Sequence, residues 1–181
     1  MRIALGKCVP SVLNVARMNS APKRNGFCLP KRVLVIDTRH IGHRLPTFCA
    51  GIDADRLKFF ALATGQTDPV YTDEAAAEAA GHPALPVPPT FLFCLEMAAP
   101  NPGALRELLD MPLPKILHGE QRFTYHAMCF AGDTLTFEQR IADIYSKKGG
   151  LLEFVQRETR VTNQHGTHVA DLNGITVVRH G

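Results

Sequence analysis

The amino-acid sequence predicts an α+β fold in which an antiparallel β-sheet of about five or six strands wraps around one buried helix. Three observations carry this. The C-terminal third holds segments rich in β-branched and aromatic residues, separated by short turn signals. Near the middle, Thr90 to about Ala99 is almost wholly apolar and stops at Pro100, and a helix apolar on every side is a buried helix. With 45% hydrophobic and 20% charged residues over 181 positions, the chain suits one ordinary domain plus an extension, and disordered, collagenous and coiled-coil classes are excluded.

The extension is N-terminal. Residues 1–36 hold seven bases and no acid, whereas from Asp37 onward 13 bases face 17 acids, so the net charge of +3 belongs to the leader. The segment has the acid-poor composition of a transit peptide but few serines and three prolines. Its alternative reading is an over-long start, with Met18 or a later codon as the true beginning. The sequence therefore divides into a dispensable leader, 1–36, and a single domain, 37–181. The mildly acidic domain shows no basic cluster for nucleic acid. Its longest apolar runs, Val33–Ile36 and Phe91–Leu95, fall far short of a membrane span. Five scattered cysteines without a C-x-x-C spacing suit neither a disulfide framework nor a structural zinc site, which points to a reduced, cytoplasmic setting.

Along the domain, Asp53 is placed to cap a helix in which Leu57, Phe60 and Ala61 share one face. Gly65 and Pro69 end it, because a proline pushes the residue before it out of helical geometry. Thr72 is expected to cap a second short helix, Asp73 to Ala80, closed by Gly81. After a proline-rich stretch (Pro83, Pro86, Pro88, Pro89) comes the buried helix, Thr90 to about Ala98. Four long strands follow as a meander: Arg122 to Met128, Thr134 to Tyr145, Leu151 to Thr162 and His168 to Arg179. Ala131-Gly-Asp, Lys147-Lys-Gly-Gly and Asn163-Gln-His-Gly are the turns between them.

The string Gly65-Gln-Thr-Asp-Pro-Val-Tyr-Thr-Asp-Glu-Ala-Ala, then Gly81, Pro88-Pro-Thr-Phe, His118-Gly-Glu-Gln and Gly132-Asp, resembles the MaoC-like dehydratases from about Ile41 to Arg179. The closer likeness is to their N-terminal-type subgroup, which includes accessory subunits of heterodimeric (3R)-hydroxyacyl-thioester dehydratases. The resemblance implies the hotdog fold. It also implies hydration of enoyl thioesters, or the reverse dehydration, on coenzyme A or acyl carrier protein, with no metal or cofactor. A catalytic hotdog subunit, or a second copy of this chain, is the implied partner, and an acyl thioester the implied ligand.

Departures from the family pattern narrow this expectation. Catalytic members carry Gly-Asp-x-Asn-Pro-x-His after the first helix; here the Asp position falls on Gln66 and the His position on Tyr71. Glutamine has no proton equilibrium near neutral pH, and tyrosine, with an unperturbed pKa of about 10, is a poor base. The His-Gly pair that opens the central helix in catalytic members, its glycine N–H meeting the thioester carbonyl, falls on Pro88-Pro89. Proline has no N–H, so a donor worth roughly 3 kcal/mol in comparable oxyanion sites is missing. The expectation is a non-catalytic, acyl-binding chain with Gln66, Asp68, Tyr71, Pro89 and Thr90 at the substrate.

Other residues stay open. Asp68 is a displaced base or a turn residue bonding its own backbone. Tyr71 either points into a substrate tunnel or packs beside the second helix. Glu96, on the central helix, matches where hotdog thioesterases place a base or nucleophile, or else sits at that helix's partner-facing edge. His118 and Glu120 form a polar pair of chemical or merely structural use. His126, Cys94 and Cys129 lack mutual spacing for a metal or nucleophile pair and read as packing.

Overall fold

The computed structural model describes residues 36–180, and the leader assigned to 1–36 lies outside them except for Ile36. Five strands form one sheet: β1 (Phe48–Gly51), β2 (Ile116–Tyr125), β3 (Thr134–Lys147), β4 (Leu152–Asn163) and β5 (His168–Arg179). All pairings are antiparallel, in the order β1-β3-β4-β5-β2. The meander holds for β3, β4 and β5. The predicted first strand departs from it: it begins at Ile116, six residues before Arg122, and crosses to the far edge to pair with β5. Polar residues at Ile116–Gln121 hid that half of the strand, because an edge strand alternates less sharply than a half-buried one.

The helices are α1 (Ala54–Ala63), α2 (Glu74–Ala79), α3 (Phe91–Met97) and α4 (Ala104–Leu108). Asp53 caps α1 by accepting from the Arg56 N–H at 2.9 Å. Leu57 and Ala61 are fully buried, and Phe60 meets Phe91 edge-on at 5.2 Å. The cap of α2 is Asp73, which accepts from the Ala75 N–H at 2.9 Å, not Thr72. A carboxylate is the stronger N-cap acceptor, and it lies one residue closer to the free N–H groups. β1 and α4 carry too few residues to show a period in sequence.

The central helix α3 lies against the concave face of the sheet and buries Phe91, Leu92, Leu95 and Glu96. Alternation along the strands sends Leu135, Phe137, Val161 and Leu172 toward one apolar cluster with α1 and α3. Ile141, Val155 and Val178 go to a second cluster, with Ile36, Leu45, Leu105 and Met111. Between them, on the same face, stand Gln139 of β3 and Arg157 and Thr159 of β4. Glu96 closes this polar belt from the helix side. It accepts from Gln139 Nε2 at 2.9 Å, Thr159 Oγ1 at 2.5 Å and Arg157 Nη2 at 2.8 Å. The pattern of the strands is thus apolar, polar, apolar along their length, and α3 is pinned over the polar stretch by a carboxylate that is 2% exposed.

Candidate functional site

Two segments build the walls of one cavity. Leu85–Val87, in the proline-rich stretch, runs beside Cys129–Ala131. The Val87 N–H donates to the Cys129 carbonyl at 3.0 Å, and the Ala131 N–H to the Leu85 carbonyl at 2.9 Å. Prolines suit such an edge because each lacks the donor that a central strand would need. The cavity, of about 450 Å³, is lined by Tyr71, Val87, Pro89, Tyr125, His126 and Met128, among others. It is largely apolar, with hydroxyl and imidazole groups at its border, the composition expected where a small organic chain is bound.

Tyr71 reaches the cavity from a single 3-10 turn, Pro69–Tyr71, whose start is set by Asp68 accepting from the Val70 N–H at 3.1 Å. Tyr125, at the end of β2, turns its Oη to the start of α3 and accepts from the Thr90 N–H at 2.9 Å. Burial pushes the Tyr125 hydroxyl above its ordinary pKa, and the Thr90 N–H offsets this only in part. The phenol therefore stays protonated at neutral pH, with its own hydrogen available as a donor. Thr90 itself holds a left-handed φ of 71°, a conformation costly for a β-branched residue and tolerated where surrounding structure dictates it.

The structure separates the residues singled out in the sequence. Tyr71 and Pro89 share the cavity, and Thr90 is joined to it through Tyr125. Gln66 and Asp68 do not line it: the Gln66 Oε1 accepts from the Asp68 N–H at 3.1 Å, so that amide is turned onto the loop's own backbone. Glu96 lies neither at the cavity nor at an outer edge of the helix; it is consumed by the polar belt. Its carboxylate oxygens are occupied by three donors. His118 lies 5.1 Å from the ring of Phe93, and Glu120 pairs with Arg122 on the exposed side of β2. Cys94 is half-buried; Cys129 is buried and lines the cavity.

Sequence reasoning missed Tyr125, whose partner is 35 residues away, and it missed what surrounds His126. That imidazole meets the Asp171 carboxylate at 2.8 Å, and His168 meets the other oxygen of the same carboxylate at 2.9 Å. Burial alone would raise the Asp171 carboxyl, but the hydrogen bonds and charges of His126 and His168 outweigh it and hold the group below the usual carboxylate value. A second concavity, of about 670 Å³, opens on the outer sheet face among Arg44, Glu138, Arg140, Glu158 and Arg160. Arg140 and Glu158 in its wall form an ion pair, and none of the residues singled out in the sequence lines it.

Residues 39–172 match the family described as FAS1-like, dehydratase domain region. The chain belongs to this family. A UPF0336 protein of Streptomyces coelicolor is 32% identical over 137 residues, covering 75% of this chain and 90% of the relative. A UPF0336 protein of Thermobifida fusca is 32% identical over 124 residues, 68% and 80% respectively. Among solved structures, the C-terminally truncated HadBC (3R)-hydroxyacyl-ACP dehydratase complex of Mycobacterium tuberculosis superposes with a TM-score of 0.63 at 24% identity, over 76% of this chain and 96% of that one. The ChsH1–ChsH2 complex of the same organism gives 0.61 at 20%, over 76% and 89%. These likenesses establish the hotdog fold, with α3 as the helix that the sheet enfolds. In this chain the Gln66 amide is folded onto its own loop and the Tyr71 phenol lines the apolar cavity.

Proposed function

We propose that this chain is the acyl-thioester-binding, non-catalytic subunit of a (3R)-hydroxyacyl-thioester dehydratase, paired with a separate catalytic hotdog subunit. The observation that carries the reading is the cavity, whose apolar lining includes Tyr71 and Pro89, the residues that fall on the family's base and carbonyl donor by motif resemblance. Hydration of an enoyl thioester needs a positioned water, a base near its working pKa and a donor on the carbonyl oxygen. At the start of α3, prolines remove two N–H groups, and the Thr90 N–H is already bonded to Tyr125. Binding and chemistry are thereby separated: an acyl chain finds apolar walls, and the acid–base work falls to the partner.

The sheet supports such a partner. β2 pairs on one side with β5 and is the last strand of the sheet; it offers ten residues of edge backbone. Leu117, Tyr125 and Met128 are exposed along and just beyond it. A long edge strand is a template for pairing with another sheet. HadBC, a (3R)-hydroxyacyl-ACP dehydratase, and ChsH1–ChsH2 are both complexes of two chains, which supports a hotdog partner for this chain.

One observation favours a second reading. His126 lines the cavity and is oriented by Asp171, the arrangement of a general base with a positioning carboxylate. In that reading the chain is a hydratase with rearranged residues. The test is hydration of a crotonyl-type thioester by the full chain, alone and mixed with a MaoC-like subunit carrying the intact Asp/His pattern. The accessory reading expects background turnover alone and activity in the mixture, lost when the partner's Asp or His is substituted. Turnover by the isolated chain that falls at least tenfold in His126→Ala would replace it with the second reading.

A further inference from the structure

Where β2 ends, two imidazoles and one carboxylate converge. His126 Nε2 and His168 Nε2 lie 2.8 and 2.9 Å from the two oxygens of Asp171, and the rings stand 4.2 Å apart. One ligand atom from each residue lies within 4.8 Å of the others. The backbone is shaped to make this meeting possible. Along a regular strand, residues three apart face opposite sides of the sheet, and His168 and Asp171 are three apart. In β5, however, Thr162 pairs with His168 while Val161 pairs with Ala170, so Val169 is the extra residue of a bulge. A bulge reverses the alternation and re-aims a side chain, which brings His168 to the face of Asp171. The same Val169 anchors the third member: its carbonyl accepts the N–H groups of His126 at 2.8 Å and Ala127 at 3.2 Å.

We propose that His126, His168 and Asp171 form a binding site for a borderline divalent metal ion, Zn²⁺ above all, at the rim of the cavity. Two imidazole nitrogens and one carboxylate oxygen form a donor set suited to Zn²⁺, Co²⁺ or Ni²⁺ and unsuited to Mg²⁺ or Ca²⁺, which take oxygen ligands. Zinc bonds of about 2.0–2.2 Å in a tetrahedron set ligand atoms ~3.3 Å apart. The present N···O separations of 2.8 and 2.9 Å then open by about half an ångström. Side chains that are 30–40% exposed allow that without moving the sheet. On binding, each imidazole presents its Nε2 lone pair and carries its proton on Nδ1. Two neutral imidazoles, one carboxylate and a divalent ion leave a net charge of +1, so the fourth position takes water or an anionic ligand atom. The sequence expectation of no metal came from the family resemblance and from His126, Cys94 and Cys129 lacking mutual spacing. The ligands are 42 and 45 residues away in sequence (168 and 171 against 126) and meet only through the pairing of β2 with β5.

The measurement is Co²⁺ and Zn²⁺ titration of the full chelator-treated chain, beside His168→Gln and the double variant His126→Ala/Asp171→Asn. Other histidines and cysteines bind metal weakly, so the difference between chains is read. Wild type is expected to take up one more equivalent of Co²⁺ than either variant, with visible d–d absorption of a low-coordinate site, and at least tenfold tighter Zn²⁺ binding. Magnesium is expected to give no response. Imidazole NMR of the unaltered chain supplies a readout free of any folding defect: one equivalent of Zn²⁺ should shift the His126 and His168 rings ahead of the remaining histidines. Equal uptake by wild type and variants, or ring shifts spread evenly over all histidines, would overturn the site.

Discussion

Glu96 and Cys129 illustrate how burial decides what a reactive residue can do. The resemblance sets Glu96 where hotdog thioesterases carry a base or nucleophile, yet its two oxygens take three donors in the polar belt. Arg157, whose side chain is 14% exposed, has Glu96 as its acidic partner. Removing one member of a buried pair strands the other charge, at a typical cost of about 3–5 kcal/mol. Glu96→Ala is therefore expected to lower stability by that order in denaturant unfolding, and Glu96→Gln by less. A thioesterase role predicts the opposite pattern, with Glu96→Gln abolishing hydrolysis at unchanged stability. For Cys129, burial and the nearby Asp133 charge push the thiol pKa up to about 12. The folded chain should leave Cys129 unalkylated by iodoacetamide at pH 8 while exposed Cys49 reacts, as peptide mass spectrometry would read. Because the folded pKa is raised, its contribution is complete below the unfolded thiol value and is lost as pH climbs toward 12. Stability should thus decline across alkaline pH, less steeply in Cys129→Ser.

At the scale of elements, irregularities in the strands do the positioning. β2 carries a bulge at Gly119, between His118 and Glu120. A Cβ there would stand 2.7 Å from Val177 Cγ2 and 3.2 Å from the Ile175 carbonyl. Neither is the tip of a long side chain that can swing aside, so Gly119→Ala must push β2 from β5. A loss of about 1–3 kcal/mol is expected from such overpacking, measured by thermal unfolding. Because β2 is the edge offered to a partner, the same variant should weaken pairing with a catalytic hotdog subunit in sedimentation. A variant with wild-type stability would show that β2 is held less closely than these distances state. The bulge at Val169 acts differently: it costs one regular pairing and turns His168 toward Asp171 and His126.

At the scale of the whole domain, the first and last described residues meet on one carboxylate. Ile36 is buried in the second apolar cluster, and its N–H donates to Glu153 Oε1 at 2.8 Å. His180 Nε2 meets the other Glu153 oxygen at 2.6 Å. Ile36, assigned to the leader in the sequence, thus packs with the folded domain. A chain beginning at Val33 is expected to unfold as the full protein does. One beginning at Asp37 should lose about 1.5–3 kcal/mol for the missing buried side chain, together with one donor to a buried carboxylate. Equal melting temperatures for the two truncations would contradict this.

The sequence by itself determined the fold class, the buried helix, the first helix with its Asp53 cap and the three-strand meander. Each rests on a local property: period, apolar content or a turn residue within a few positions. From a motif, which is local too, came the expectation that Gln66, Tyr71 and Pro89 replace the family's Asp, His and carbonyl donor. Tertiary structure decided the rest. The strand order sends β2 to the far edge; the polar belt engages Glu96 with three donors; Tyr125 reaches Thr90 across 35 residues; and His126 meets His168 and Asp171. These depend on which strands pair and in what register, and a single bulge reverses which side a residue faces. Such choices come from summed burial over the entire sheet, which no short window of sequence contains.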